Sequence, residues 1–176
     1  AALTPSDVEV VMYDDRMEQI PYEEPTDLVA ITVETFTARR AYEISARFRE
    51  RGVKTVMGGM HAMLIPEEVA GHCDCVIVGD AEPVWETMIA DFRAGRLKKR
   101  YDAVQPVCPQ QNVLTRRDIF EGKGYLPITL LQFSRGCSHQ CSFCASSVYF
   151  GAHHYCRPVE EVVAEIRSQK RKLLFF

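Results

Sequence analysis

The sequence predicts an α/β fold built on an open parallel sheet, and three features carry that prediction. Short apolar runs alternate with amphipathic stretches, most clearly Leu28-Val29-Ala30-Ile31-Thr32-Val33 ahead of a helical pattern over 38–51. The runs are apolar throughout, as in strands covered on both faces. Glycines stand where strands should end, at Gly58-Gly59 and Gly79, and where helices should stop, at Gly52 and Gly95.

In chain order, Val8-Glu9-Val10-Val11-Met12-Tyr13 reads as a strand ended by Asp14-Asp15, and a loop with Pro21 and Pro25 leads to the strand at 28–33. Thr37 or Thr35 is placed to cap the helix over 38–51, with Ala41, Ile44, Ser45 and Phe48 on one face. A strand over 53–57 exits through Gly58-Gly59, Pro66 opens a short helix, and Cys75-Val76-Ile77-Val78 is a buried strand. A helix from Pro83 to about Ala94 turns Val84, Met88, Ile89 and Phe92 inward. This spacing argues for βαβ units in a Rossmann-like (flavodoxin-like) sheet. Four strands are visible where such a sheet usually has more, so a first strand is expected upstream.

Residues 98–125, with weak periodicity and scattered prolines, read as a linker between a domain at 1–97 and the start of a second at 126–176. The second begins with a strand at 128–133, continues with a helix from Arg157-Pro158 whose inner stripe is Val159, Val162, Val163 and Ile166, and ends in a strand at 173–176. The opening AALTP resembles a helix's last turn and the closing KLLFF a strand's middle, so the chain is expected to be a piece of a longer protein.

Composition excludes several classes. The chain is 47% hydrophobic and 26% charged with a formal net charge of −3, as in soluble globular domains. Its only basic cluster, Arg96-Leu97-Lys98-Lys99-Arg100, reads as a solvated helix exit and not as a nucleic-acid patch. No apolar run approaches the ~20 residues of a membrane span, and no leader is visible, so a cytoplasmic protein is expected.

The seven cysteines are uneven: Cys73, Cys75 and Cys108 are scattered, while Cys137, Cys141, Cys144 and Cys156 crowd one region. Clustered thiols in a reducing compartment hold metal or do redox chemistry more often than they form disulfides. Within Ser134–Ala145 three are spaced C-x3-C-x2-C, following a strand's C-terminal end, where parallel α/β architectures place ligands. A structural zinc site would need a fourth ligand, from Cys156, His139, His153 or His154. A 4Fe–4S cluster fits three thiolates directly, leaving one iron open. Cys156, outside the spacing, is expected to pack as a small buried residue.

Cys137, Cys141, Phe143 and Cys144, preceded by Ser134-Arg135-Gly136, resemble the motif of the radical S-adenosylmethionine (SAM) superfamily. The resemblance implies that the three cysteines ligate three irons and that SAM's amino and carboxylate groups bind the fourth. One electron then cleaves SAM to methionine and a 5′-deoxyadenosyl radical. Phe143 would lie near the adenine or serve as a plain core aromatic, and Gly136 lets backbone approach the cluster. The GAHHYCRPVEEV stretch resembles the segment closing this loop and starting the first helix of a partial TIM barrel; Arg157 there contacts the cluster region or caps the turn.

A doubly wound domain ahead of that loop resembles the cobalamin-binding (B12-binding) radical SAM family. The residues are Met57-Gly58-Gly59-Met60-His61-Ala62, Pro66-Glu67-Glu68 and Val78-Gly79-Asp80-Ala81-Glu82. The resemblance implies cobalamin contacts at Thr32, Glu34, Thr35, Gly58, Gly59, His61, Gly79 and Glu82. It also departs from the family at Thr32 and Glu34, where relatives carry a serine and a leucine. Taken alone, Gly58-Gly59 is equally a tight turn without ligand, Glu82 equally a first-turn acid. His61 reads as a loop residue bonded to backbone or cofactor and not as a cobalt ligand; no D-x-H-x-x-G pattern supplies one.

The family implies 4Fe–4S, SAM and cobalamin as cofactors, a flavodoxin- or ferredoxin-type reductant, and methyl transfer to an unactivated carbon. The Ile31–Arg40 stretch and the MGGMHAMLIPEE loop resemble members acting on lipids or tetrapyrroles. Two alternatives remain: a radical SAM cyclase or rearrangement enzyme whose first domain is a recognition module without cobalamin, and a zinc-stabilised binding protein with no enzymatic activity. The 176 residues alone are expected to be inactive.

Overall fold

The computed structural model describes residues 1–103, 115–171 and 173–176. Cys108, Pro106 and Pro109 of the expected linker lie outside the described residues. The chain divides into two compact units, Pro21–Pro106 and a second made of Ala1–Ile20 with Val107–Phe176.

The first unit is a four-stranded sheet in the order β1-β2-β3-β4, with every neighbouring pair parallel. Its elements are β1 (Leu28–Thr32), α1 (Ala38–Glu50), β2 (Lys54–Gly58), α2 (Met60–Leu64), α3 (Pro66–Ala70), β3 (Cys75–Val78), α4 (Trp85–Arg93) and β4 (Arg100–Asp102). Alternate residues of one strand point to opposite faces, so two cores form. On one face Met57 and Val76 pack with Ala41 of α1, Ala62 of α2 and Val69 of α3. On the other, Val56, Cys75 and Ile77 pack with Met88 and Ile89 of α4 and with Tyr101. Strands sandwiched this way must be apolar on both sides, which is why the runs lack polar alternation.

The expected elements at 28–33, 38–51, 53–57 and 75–78 are present, with ends moved by a residue or two. One sheet strand lay inside the span read as a linker: Arg100–Asp102 is too short and polar to show periodicity, yet pairs with Val76–Val78. Conversely, Val8–Tyr13 forms no strand among the described residues. It belongs to the second unit, where the following residues are tethered: Tyr125 donates to Asp14 at 2.7 Å and Lys123 to Glu18 at 2.7 Å. Those tethers, formed by residues more than a hundred positions away, explain why β-propensity did not place it in the sheet. Nor does Thr37 cap α1 directly: its hydroxyl accepts from the Glu34 N–H at 3.1 Å, closing a 3-10 turn over Thr35–Thr37.

The second unit contains β5 (Ile128–Leu130), β6 (Ser134–Gly136), α5 (Ala145–Phe150), β7 (His154–Cys156), α6 (Val159–Ser168) and β8 (Leu173–Phe175). β5 and β8 pair in parallel with α6 between them in sequence, a βαβ unit. β6 and β7 pair antiparallel, Gly136 opposite His154. The expected strand at 128–133 stops at Leu130; the chain bends and β6 starts a separate ladder.

Candidate functional site

The cysteine loop fills the gap between β6 and α5, so each end is anchored by a regular element. At its start, Gly136 has φ +88° and a Cβ there would collide with the His153 carbonyl oxygen, so β6 and β7 approach through a glycine. The close partner is therefore the chain's own hairpin. At its end, the Cys144 thiol lies below its ordinary pKa because it accepts hydrogen bonds from the backbone N–H groups of Ser147 and Ser146. The Cys137 sulfur accepts from the His139 N–H at 3.5 Å. Cys141 is exposed, Cys137 and Cys144 are half-buried, and none is in a disulfide. Accessible thiols, one of them, Cys144, held toward the thiolate by backbone N–H donors, fit a cluster ligand set.

Among the described residues no three His, Cys, Asp or Glu side chains converge on one metal ion. Phe143 is 90% exposed, so it is not a core aromatic in this structure. Cys156 is exposed as well, contrary to the expected buried packing; it sits on β7 of a two-stranded ladder, opposite Ser134.

In contrast, Cys73 and Cys75 are core residues, 3% and 0% exposed. Burial pushes their thiols up to about 11 and about 12. They are packing groups, chemically inert beside the loop.

The cobalamin candidates lie at the C-terminal ends of β1, β2 and β3, the edge where open α/β sheets bind ligands. Thr32 pairs with Gly58 in the β1–β2 register. Gly59 has φ +103°, and a Cβ there would stand 2.9 Å from the Val33 oxygen and 3.1 Å from Thr32 Cγ2. Gly79, at φ +88°, would meet Ala103 at 3.1 Å. Both glycines are thus demanded by the chain's own backbone. Thr32 is exposed, and Glu34 and Glu82 are half-buried.

His61 is 4% exposed on α2, a buried position and not a loop. Its Nδ1 lies 3.2 Å from the Thr35 hydroxyl and its Nε2 3.2 Å from the Tyr42 hydroxyl. Tyr42 donates to Glu68 at 3.0 Å and stacks on His72 with ring centres 3.9 Å apart. Burial, reinforced by the Glu68 carboxylate, raises the Tyr42 phenol to about 12. With Tyr42 donating to Glu68, the complementary assignment has Nε2–H donating to Tyr42 and Nδ1 accepting from Thr35. The structure therefore joins Thr32, Thr35, Gly58, Gly59 and His61 in one corner, and leaves Gly79 and Glu82 on the next strand. Tyr42 was missed because it falls one position off the inner stripe of α1, and Glu68, named in the Pro66-Glu67-Glu68 motif, was assigned no contact.

A depression of about 450 Å3 lined by Arg49, Lys54 and Asp74 lies at the opposite, N-terminal end of β2. Its charges satisfy one another, Lys54 reaching Asp74 at 2.8 Å, and it has no part in this site.

No protein-family model matches the sequence. The chain is 33% identical over 97% of its length to bacteriochlorophyllide d C-8(2)-methyltransferase of Chlorobaculum tepidum, and spans 39% of that enzyme. It is 30% identical over 84% of its length to bacteriochlorophyllide d C-12(1)-methyltransferase of the same organism, spanning 33% of it. In solved structures, 83% of the chain superposes with a TM-score of 0.58 on 35% of TsrM, a radical SAM methyltransferase from Kitasatospora setae, at 16% identity. That likeness shows a shared fold. The mixed α/β architecture, a four-stranded parallel sheet with flanking helices, is common to both.

Proposed function

We propose that this chain is part of a cobalamin-dependent radical SAM methyltransferase that alkylates an unactivated carbon of a tetrapyrrole. The observation that carries the reading is the 33% identity, across 97% of the chain, to an enzyme named for methylating bacteriochlorophyllide d. The C-x3-C-x2-C loop between β6 and α5 supports it independently. Cys137, Cys141 and Cys144 would hold a 4Fe–4S cluster; Thr32, Glu34, Thr35 and Glu82 would border a corrinoid at the sheet edge. When bound, the cluster supplies the electron for reductive cleavage of SAM, and the corrinoid supplies a transferable methyl group.

The chain's own contribution is positioning. The β6–β7 hairpin and α5 hold the loop ends, and the Ser146 and Ser147 N–H groups favour the thiolate of Cys144. Exposed Phe143 offers an aromatic face beside the loop for the adenine of SAM. In the first unit, Phe36 at 85% exposure, with Leu64 and Ile65, follows the C-terminal ends of β1 and β2. An open apolar edge of this kind suits a flat macrocycle. A flavodoxin- or ferredoxin-type protein would deliver the electron.

One observation favours a second reading, in which the first unit recognises substrate or partner without cobalamin. Gly59, Gly79 and His61 are each accounted for by contacts within the chain. Anaerobic reconstitution with iron and sulfide, followed by hydroxocobalamin and desalting, separates the two. Retained corrinoid absorbance with iron and sulfide bound supports the first reading; iron and sulfide without corrinoid leaves the second. Zinc in place of both would end the radical SAM assignment.

A further inference from the structure

Glu165 is an acid on the buried side of α6, 9% exposed, one turn from the buried Val162 and outside the apolar stripe the sequence displays. Burial alone would raise its pKa, but hydrogen bonds from Arg157 and then Arg117 outweigh that and hold the carboxyl below its ordinary value. Arg117 donates to one carboxylate oxygen at 2.6 Å and Arg157 to the other at 2.7 Å. Each guanidinium also reaches the chain between β5 and β6: Arg117 donates to the Leu130 carbonyl at 2.9 Å, Arg157 to that of Gln132 at 2.9 Å. The Arg157 backbone N–H then takes the Phe133 carbonyl at 2.9 Å. Three carbonyls of the bend that turns β5 into β6 are thereby held by two arginines that share one buried acid.

We propose that Glu165 is a positioning residue: with Arg117 and Arg157 it clamps the Leu130–Phe133 bend and so fixes where the cysteine loop leaves the sheet. The bend ends at Phe133, and only Ser134, Arg135 and Gly136 separate it from Cys137. β6 is three residues long and pairs with β7 alone, so its own ladder is a weak anchor. A single guanidinium nitrogen of each arginine, Nη2 of Arg117 and Nη1 of Arg157, donates both to the Glu165 carboxylate and to a carbonyl, and the planar guanidinium holds those two hydrogens in a fixed geometry that a freely rotating lysine ammonium does not. Beside the expectation that Arg157 contacts the cluster region or caps the turn, these bonds give it a role as a strut behind the loop. The part of the proposal that concerns cluster retention rests on the reading of the loop as a cluster site.

The test uses the full chain in three forms: wild type, Glu165→Gln, and Arg157→Lys as the variant that keeps the charge. Hydrogen exchange on the metal-free protein is read first. Amides of 131–136 should exchange roughly tenfold faster in both variants, as expected for a coupled network that loses a member, while β2 and β3 keep wild-type protection. Unchanged exchange at 131–136 overturns the clamp, and so does equal acceleration in β2 and β3, which would mean general loosening. After anaerobic reconstitution, a chelator should strip iron from the variants roughly tenfold faster, as for partners behind metal ligands, and the reduced-cluster EPR signal should shift. Wild-type retention and an unshifted signal in the variants also count against the proposal. If wild-type protein takes up no iron and sulfide, the cluster reading fails while hydrogen exchange still decides the clamp.

Discussion

Cysteine is the most informative residue type in this chain because its environments split so sharply. Cys73 and Cys75 are buried with thiols at about 11 and about 12, whereas Cys137, Cys141, Cys144 and Cys156 are half-buried or exposed. Iodoacetamide applied to native metal-free protein at neutral pH should therefore label the latter group and spare Cys73 and Cys75, with peptide mass spectrometry as the check. Labelling of Cys73 before unfolding would contradict the core assignment. The glycines allow an equally local test. Gly59 combines φ +103° with a would-be Cβ 2.9 Å from a backbone oxygen, so strain and collision act together. Gly59→Ala should cost about 2 kcal/mol by denaturant titration. Gly122, also at positive φ but with open space around it, should lose less than half as much on the same change.

At the scale of elements, α6 carries an acid-dependent contribution. The Glu165 carboxyl is held below its ordinary value of 4.5, so its contribution is complete above that value. It disappears as pH falls through the lower, folded-state pKa. Acidification below about pH 4.5 should therefore loosen the β5–α6–β8 unit, read by exchange of its amides, and Glu165→Gln should flatten that pH dependence. Elements also show what the sequence disclosed. β1, β2, β3 and α1 were legible because their apolar periods are long enough to exclude alternatives. β4 was not, since three residues cannot display a period, and Val8–Tyr13 misled because strand propensity says nothing about which edge is free to pair. The cysteine loop was legible from spacing alone. Its supports were not, because Arg117, Arg157 and Glu165 are up to 48 positions apart and meet only through the fold. No sequence signal pointed to them, because the apolar stripe Val159, Val162, Val163 and Ile166 leaves Glu165 outside it.

The largest scale concerns how much protein the chemistry requires. The chain spans 39% and 33% of the two methyltransferases it matches. Its second unit offers a two-stranded parallel pair whose outer face is open and greasy: Leu130, Leu173 and Phe175 are 68%, 58% and 65% exposed. In register, Leu130 stands opposite Phe175 and Ile128 opposite Leu173, so these side chains share one face of the pair, while Thr129, 4% exposed, lies on the other. SAM at a loop beside so open a sheet would lack a closed pocket to hold it for cleavage and to keep solvent out, as radical chemistry requires. The 176 residues alone, reconstituted with iron and sulfide and reduced with dithionite, should thus bind a cluster yet yield no 5′-deoxyadenosine from SAM by chromatography. A chain extended to the relatives' length should yield it under the same conditions. Turnover by the 176 residues at a rate matching the longer chain would show that the open face plays no part in shielding the reaction.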